Sequence, residues 1–126
     1  MIRKSYLVFF LFIVFLPSVL KAESDSLAAN YNQGLSFFSK NDMEEALSHF
    51  LQSADENFNS WQSYEMAGYC YFEMREKDGA LEAFEESLKI NPHNEHLVKV
   101  YMDLKAGAAD IPLRPVVDAA AFLPGT

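Results

Sequence analysis

Residues 61–94, WQSYEMAGYCYFEMREKDGALEAFEESLKINPHN, repeat a pattern of small and bulky residues that first appears 34 positions earlier, in residues 27–60. The matching positions pair Gly34 with Gly68, Phe38 with Phe72, Ala46-Leu47 with Ala80-Leu81, Phe50 with Phe84, Ser53 with Ser87 and Asn57 with Asn91. A fixed period of this length indicates a stacked-repeat architecture. In such folds each unit buries its apolar face only against its neighbours.

Apolar residues at helical spacing predict five helices and no strand. The predicted helices cover residues 27–40, 43–56, 61–75, 78–90 and 94–106. Asn41-Asp42 separates the first two and can cap the second. Asn91-Pro92 ends the fourth, because a proline cannot continue a helix and restricts the residue before it. The expected fold class is therefore all-α.

The second unit combines aromatic, small and proline residues at Tyr64, Ala67-Gly68, Tyr71, Ala80, Phe84 and Pro92. This combination resembles the tetratricopeptide repeat, a helix-turn-helix unit. The first unit fits at Gly34, Phe37, Ala46 and Phe50, but it departs from the pattern at Asn30, Gln33 and Phe58. The resemblance implies an α-solenoid fragment of two repeats, about 27–60 and 61–94, with a capping helix at about 94–106. It also indicates a small exported protein of bacterial type.

Members of this family bind partners on a concave face that is lined by the first helix of each pair. The resemblance places partner-binding residues at Tyr31, Leu35, Phe38, Glu65, Tyr69, Phe72 and Glu73. Five of these side chains are apolar or aromatic, so they would form an exposed strip edged by the two glutamates. Exposed apolar patches of this kind mark partner sites. The alternative is that another part of the same molecule covers the strip.

The N-terminus has the features of a secretory signal peptide. Arg3 and Lys4 precede an unbroken apolar run from Tyr6 to Leu16, and Ala22 offers a small residue at the exit. We therefore expect a signal peptide at 1–22, a repeat domain at 23–107 and a periplasmic or secreted location. The alternative is a retained membrane anchor, although spanning a bilayer takes about 20 apolar residues.

Without residues 1–22, the chain has 18 acidic residues against seven basic ones, a net charge of −11. This acidity excludes an ordinary nucleic-acid binder, which needs lysine and arginine to neutralise phosphates. It also disfavours an anionic membrane surface. Cys70 is the single cysteine, so no intramolecular disulfide can form, and its apolar neighbours predict a buried thiol. The alternative is a thiol that pairs with a second chain.

Catalytic and metal-binding patterns are not recognisable. His93 and His96 are spaced by three without an identifiable third ligand, so no zinc site is expected. No phosphate loop or nucleophile motif appears, and neither an enzyme nor a cofactor is expected. The resemblance implies a protein–protein interaction module, either an adaptor or scaffold or an assembly factor, with a protein or peptide partner. Two alternatives stay open, a self-assembling homo-oligomer and an accessory subunit of an envelope enzyme complex.

Residues 108–126, AADIPLRPVVDAAAFLPGT, form a tail that three prolines keep from being one helix. Its apolar content is too high for an ordinary disordered tail. We expect it to dock on apolar surface, over the last helix or in the strip, in its own molecule or in a second copy. Phe122 and Leu123 are the expected anchors.

Overall fold

The computed structural model describes residues 28–111, which form five helices and contain no strand. Helix α1 covers residues 28–39, α2 Met43–Asp55, α3 Ser60–Glu73, α4 Lys77–Ile90 and α5 Glu95–Lys105. The all-α prediction is confirmed, and the observed bounds lie within two residues of the predicted ones. The expected signal peptide at 1–22 and most of the tail lie outside the described residues.

Each helix pair is held at close approach by a glycine that faces a phenylalanine ring. In the first pair, a Cβ on Gly34 would lie 2.7 Å from Cε1 of Phe50. In the second pair, a Cβ on Gly68 would overlap the ring of Phe84. Both phenylalanines are fully buried. Each ring therefore fills the gap between the two helices of its own pair.

The turns inside the two pairs also repeat. Asn41 has φ 62° and Arg75, 34 positions later, has φ 63°. Both residues therefore take the left-handed conformation, which asparagine tolerates better than most residues with a side chain. Asp42 follows the first turn and caps α2 by accepting a hydrogen bond from the backbone N–H of Glu45.

Successive pairs pack through α3, which contacts both α2 and α4, while α5 packs against α4. Buried serines hold the backbone at the start of α3 by hydrogen bonds. Ser53 of α2 and Ser63 of α3 each donate to the carbonyl of Phe58, and Ser87 of α4 donates to the carbonyl of Trp61. Ser53 thus acts at the turn between the two pairs, whereas Ser87 joins the two helices of the second pair. The result is a short α-solenoid fragment.

Candidate interaction surface

The strip expected from the sequence is mostly a buried surface. Tyr31, Leu35 and Phe38 of α1 are 4%, 5% and 7% exposed. On α3, Glu65 is 2% exposed and Tyr69 is 1% exposed. The expectation that these five side chains are exposed is therefore wrong.

Ring packing supplies part of the physical reason. Tyr31 meets Phe50 edge to face with 5.6 Å between ring centroids, and it meets Phe58 at 6.4 Å. Tyr69 meets Phe84 in the same way at 5.2 Å. The tyrosines therefore continue the core of each pair towards the concave side. Leu35 and Phe38 belong to the same apolar cluster.

Two of the expected residues still reach the surface. Phe72 is half-buried and Glu73 is exposed, both near the end of α3. They line one side of an open groove of about 460 Å³. The remaining lining comes from the start of α4, the end of α5 and the chain that follows, with Arg75, Lys77, Leu104, Ala108, Ala109 and Asp110. The groove thus offers apolar side chains next to charges of both signs.

A buried carboxylate links α3 to the start of α5. The Tyr69 hydroxyl donates to Oε1 of Glu65 at 3.3 Å, and Nδ2 of Asn94 donates to Oε2 at 3.1 Å. Oδ1 of Asn94 in turn accepts from the backbone N–H of Leu97 at 3.2 Å and caps α5. Asn94 therefore positions the last helix against the concave side of α3. The sequence analysis missed this role, and the signal was an asparagine immediately before a helical run.

Gln62 lies one helical turn before Glu65. Its Oε1 is buried and has no hydrogen-bond donor, and no other side-chain atom is in this state among residues 28–111. A buried acceptor without a donor costs free energy.

A second, smaller groove lies between α2, α3 and α4 and has a volume of about 310 Å³. Its lining combines apolar and aromatic side chains with two carboxylates and comprises Leu51, Tyr64, Tyr71, Gly79, Glu82, Ala83 and Glu86. Glu86 is paired with Lys89 at 2.6 Å, so part of the negative charge is already compensated.

The remaining titratable residues offer little chemistry. Burial raises the pKa of the Cys70 thiol from 9.0 to about 12, with a further contribution from Glu73, so the thiol stays protonated and unreactive near neutral pH. His93 and His96 are both exposed. Within residues 28–111, no three metal-ligating side chains come together. In the same part of the chain, no helix is long and apolar enough to cross a membrane.

Comparison with known protein families gives a match in the second helix pair. Residues 61–94 match the tetratricopeptide repeat. The matched range corresponds to α3, α4 and the turn that leads to α5, and the first pair extends the same arrangement. Tetratricopeptide repeats generally mediate protein–protein interactions and are typically non-catalytic. Comparison of the chain with curated proteins and with solved structures found no significant match.

Proposed function

We propose that this chain is a non-catalytic interaction module that acts outside the inner membrane and binds a segment of a partner protein. The match of residues 61–94 to the tetratricopeptide repeat is the observation that carries the proposal. The apolar and charged groove beside α3 supplies a surface on which such a segment can lie. The signal-like N-terminus supports export to the periplasm or beyond, as an adaptor or an assembly factor.

The seven residues proposed for partner binding divide into two groups. Phe72 and Glu73 contact the partner directly, because they are accessible at the groove. The five buried residues, Tyr31, Leu35, Phe38, Glu65 and Tyr69, shape the face from beneath. The acidic residues favour a segment that carries a basic side chain.

The test is capture of a partner by the immobilised chain from an envelope extract, followed by substitution of Phe72. Phe72→Ala should remove most of the specific capture, since aromatic side chains carry much of the binding energy at interfaces. Phe37→Ala is the matched control, because Phe37 is also half-buried but stacks on His49 at the side of α1 that meets α2. Circular dichroism should show both variants folded. Equal capture by wild type and Phe72→Ala would overturn the proposed site.

Self-assembly is the second candidate, and one observation favours it. Ile90 at the end of α4 and Val98 and Met102 of α5 are 50%, 37% and 59% exposed, near the end of the described helices where a further repeat would stack in a longer solenoid. Two copies could cover these side chains by packing their ends together. Light scattering of the purified chain distinguishes the two candidates, because the interaction module is expected to be a monomer before it meets its partner.

A further inference from the structure

Leu35 and Phe38 lie one and two turns along α1 from Tyr31, whose ring packs on Phe50 of α2. Further contacts with α2 lie on the neighbouring line of the helix: Asn30 donates to Glu56, Gly34 faces Phe50, and Phe37 stacks on His49 at 5.3 Å. Leu35 follows Gly34 and Phe38 follows Phe37, and each step of one residue turns the side chain about 100° around the helix axis. The two side chains are nevertheless 5% and 7% exposed.

The chain leaves α5 towards the same side of the molecule. Ala108, Ala109 and Asp110 line the groove together with Phe72 of α3. Ile111 follows at once and is 4% exposed, as part of the apolar core cluster. The last described residue is thus anchored beside the concave face, and 15 further residues continue from it.

We propose that residues 112–126 of the same chain lie along the groove and cover the concave face of α3 and α1. The distance is within reach of the segment. Packed helices are about 8–10 Å apart, so the path from α5 past α3 to α1 is about 20 Å. Fifteen extended residues span at most about 50 Å. The docked segment occupies the groove proposed for a partner segment, which therefore has to displace it, and the docking is tested without a partner.

The chemistry of the segment suits this surface. Pro112 and Pro115 favour the polyproline II conformation, in which three residues make one turn. Leu113 and Val116 then share one edge, and they can contact the aromatic side chains of the face. Extended proline-containing segments bind aromatic-lined grooves in this way, because little conformational entropy is lost.

The continuation from Ile111 fixes the direction of the segment, and charge favours one contact for its single cation. Arg114 is the only cation in residues 112–126, and it lies three residues beyond the anchored Ile111. Helix α3 contains Glu65 and Glu73 and carries no lysine or arginine. Glu73 lines the groove together with Asp110, Arg75 and Lys77, and we expect Arg114 to pair with Glu73 at the start of the docked stretch.

The test measures the reactivity of a thiol placed in the segment of the full chain. Leu113→Cys should react with a maleimide at least about tenfold more slowly in the folded chain than in a free peptide of residues 112–126 with the same substitution, because a docked thiol reacts only when the segment opens. Cys70 adds no background, since it is fully buried. Equal rates in chain and peptide would overturn the proposal.

Charge variants in the Leu113→Cys chain locate the docking site. Arg114→Glu and Glu73→Lys should each raise the labelling rate several-fold towards that of the peptide. Glu82→Lys, on α4 at the other groove, is the control and should leave the rate unchanged. If Glu73→Lys leaves the slow labelling of Leu113→Cys unchanged, the segment docks elsewhere and the proposal is wrong. Protection that rises with protein concentration, together with a dimeric mass in light scattering, would show docking on a second copy instead.

Discussion

At the residue scale, the fold depends on a few positions where a side chain is absent. Gly34 and Gly68 occupy the same place in the two pairs, and each gives room to a buried phenylalanine ring. The recurrence of glycine and phenylalanine after 34 positions identifies these residues as architectural from sequence alone. Which ring meets which glycine is a question of three-dimensional packing, and the repeat pattern does not answer it.

Gly68→Ala should destabilise the protein by about 1–3 kcal/mol, because the new methyl group must displace the ring of Phe84 from a packed core. Gly79→Ala is the control. Its Cβ would lie 2.7 Å from Cδ1 of Tyr71, but Tyr71 is only half-buried and can move. Alanine also favours the helix by about 1 kcal/mol over glycine, so Gly79→Ala should be close to neutral. Urea unfolding measures the stability of both variants. Equal unfolding midpoints for the two would contradict this account of Gly68.

Contacts between individual side chains also explain why the candidate site could be predicted only in part. The resemblance to the tetratricopeptide repeat places Leu35, Phe38 and Tyr69 on the concave side, but exposure depends on what covers that side. Tyr69 lies over Phe84, and this contact joins residues on two helices of one pair. Such contacts depend on helix orientation, which the spacing of residues in one helix does not contain.

At the scale of the elements, the sequence predicts the helices almost completely. Asn41-Asp42 and Asn91-Pro92 mark helix ends by local chemistry, so their effect does not require knowledge of the fold. The start of helix α5 depends also on a residue that is distant in the sequence. It is tied to α3 by the hydrogen bond from Asn94 to Glu65, and only the structure reveals that link.

Asn94→Ala should destabilise the protein more than Asp42→Ala does. Both side chains cap a helix, and loss of a cap costs about 1 kcal/mol. The Asn94 amide also donates to the buried carboxylate of Glu65, whose desolvation is then less well compensated, which adds about 1–3 kcal/mol. Chemical denaturation of the two variants makes the comparison. Similar losses of stability would show that the hydrogen bond to Glu65 contributes little.

At the scale of the whole molecule, charge is distributed differently in the N-terminal segment and in the rest of the chain. The basic and apolar start is confined to residues 1–22, whereas all 18 acidic residues follow it. Removal of that segment would leave a helical repeat protein with a uniformly acidic balance, which keeps it soluble through charge repulsion.

We expect the protein isolated from its native host to begin at Glu23. Ala22 is the small residue that follows the apolar run at a suitable distance, and an acid comes directly after it. N-terminal sequencing decides the matter. A chain that retains Tyr6 to Leu16 would be an anchored protein, and the proposal of a freely exported module would then be wrong.

The packing of each helix mainly against its neighbours in the chain has a consequence for folding kinetics. Helix α3 meets both α2 and α4, so the second pair can form its contacts across short loops before either end is in place. Chains with such a low contact order fold quickly, and solenoids can nucleate locally and then propagate outward. We therefore expect α3 and α4 to form the folding nucleus, with α1 and α5 joining as the first parts to fray on unfolding.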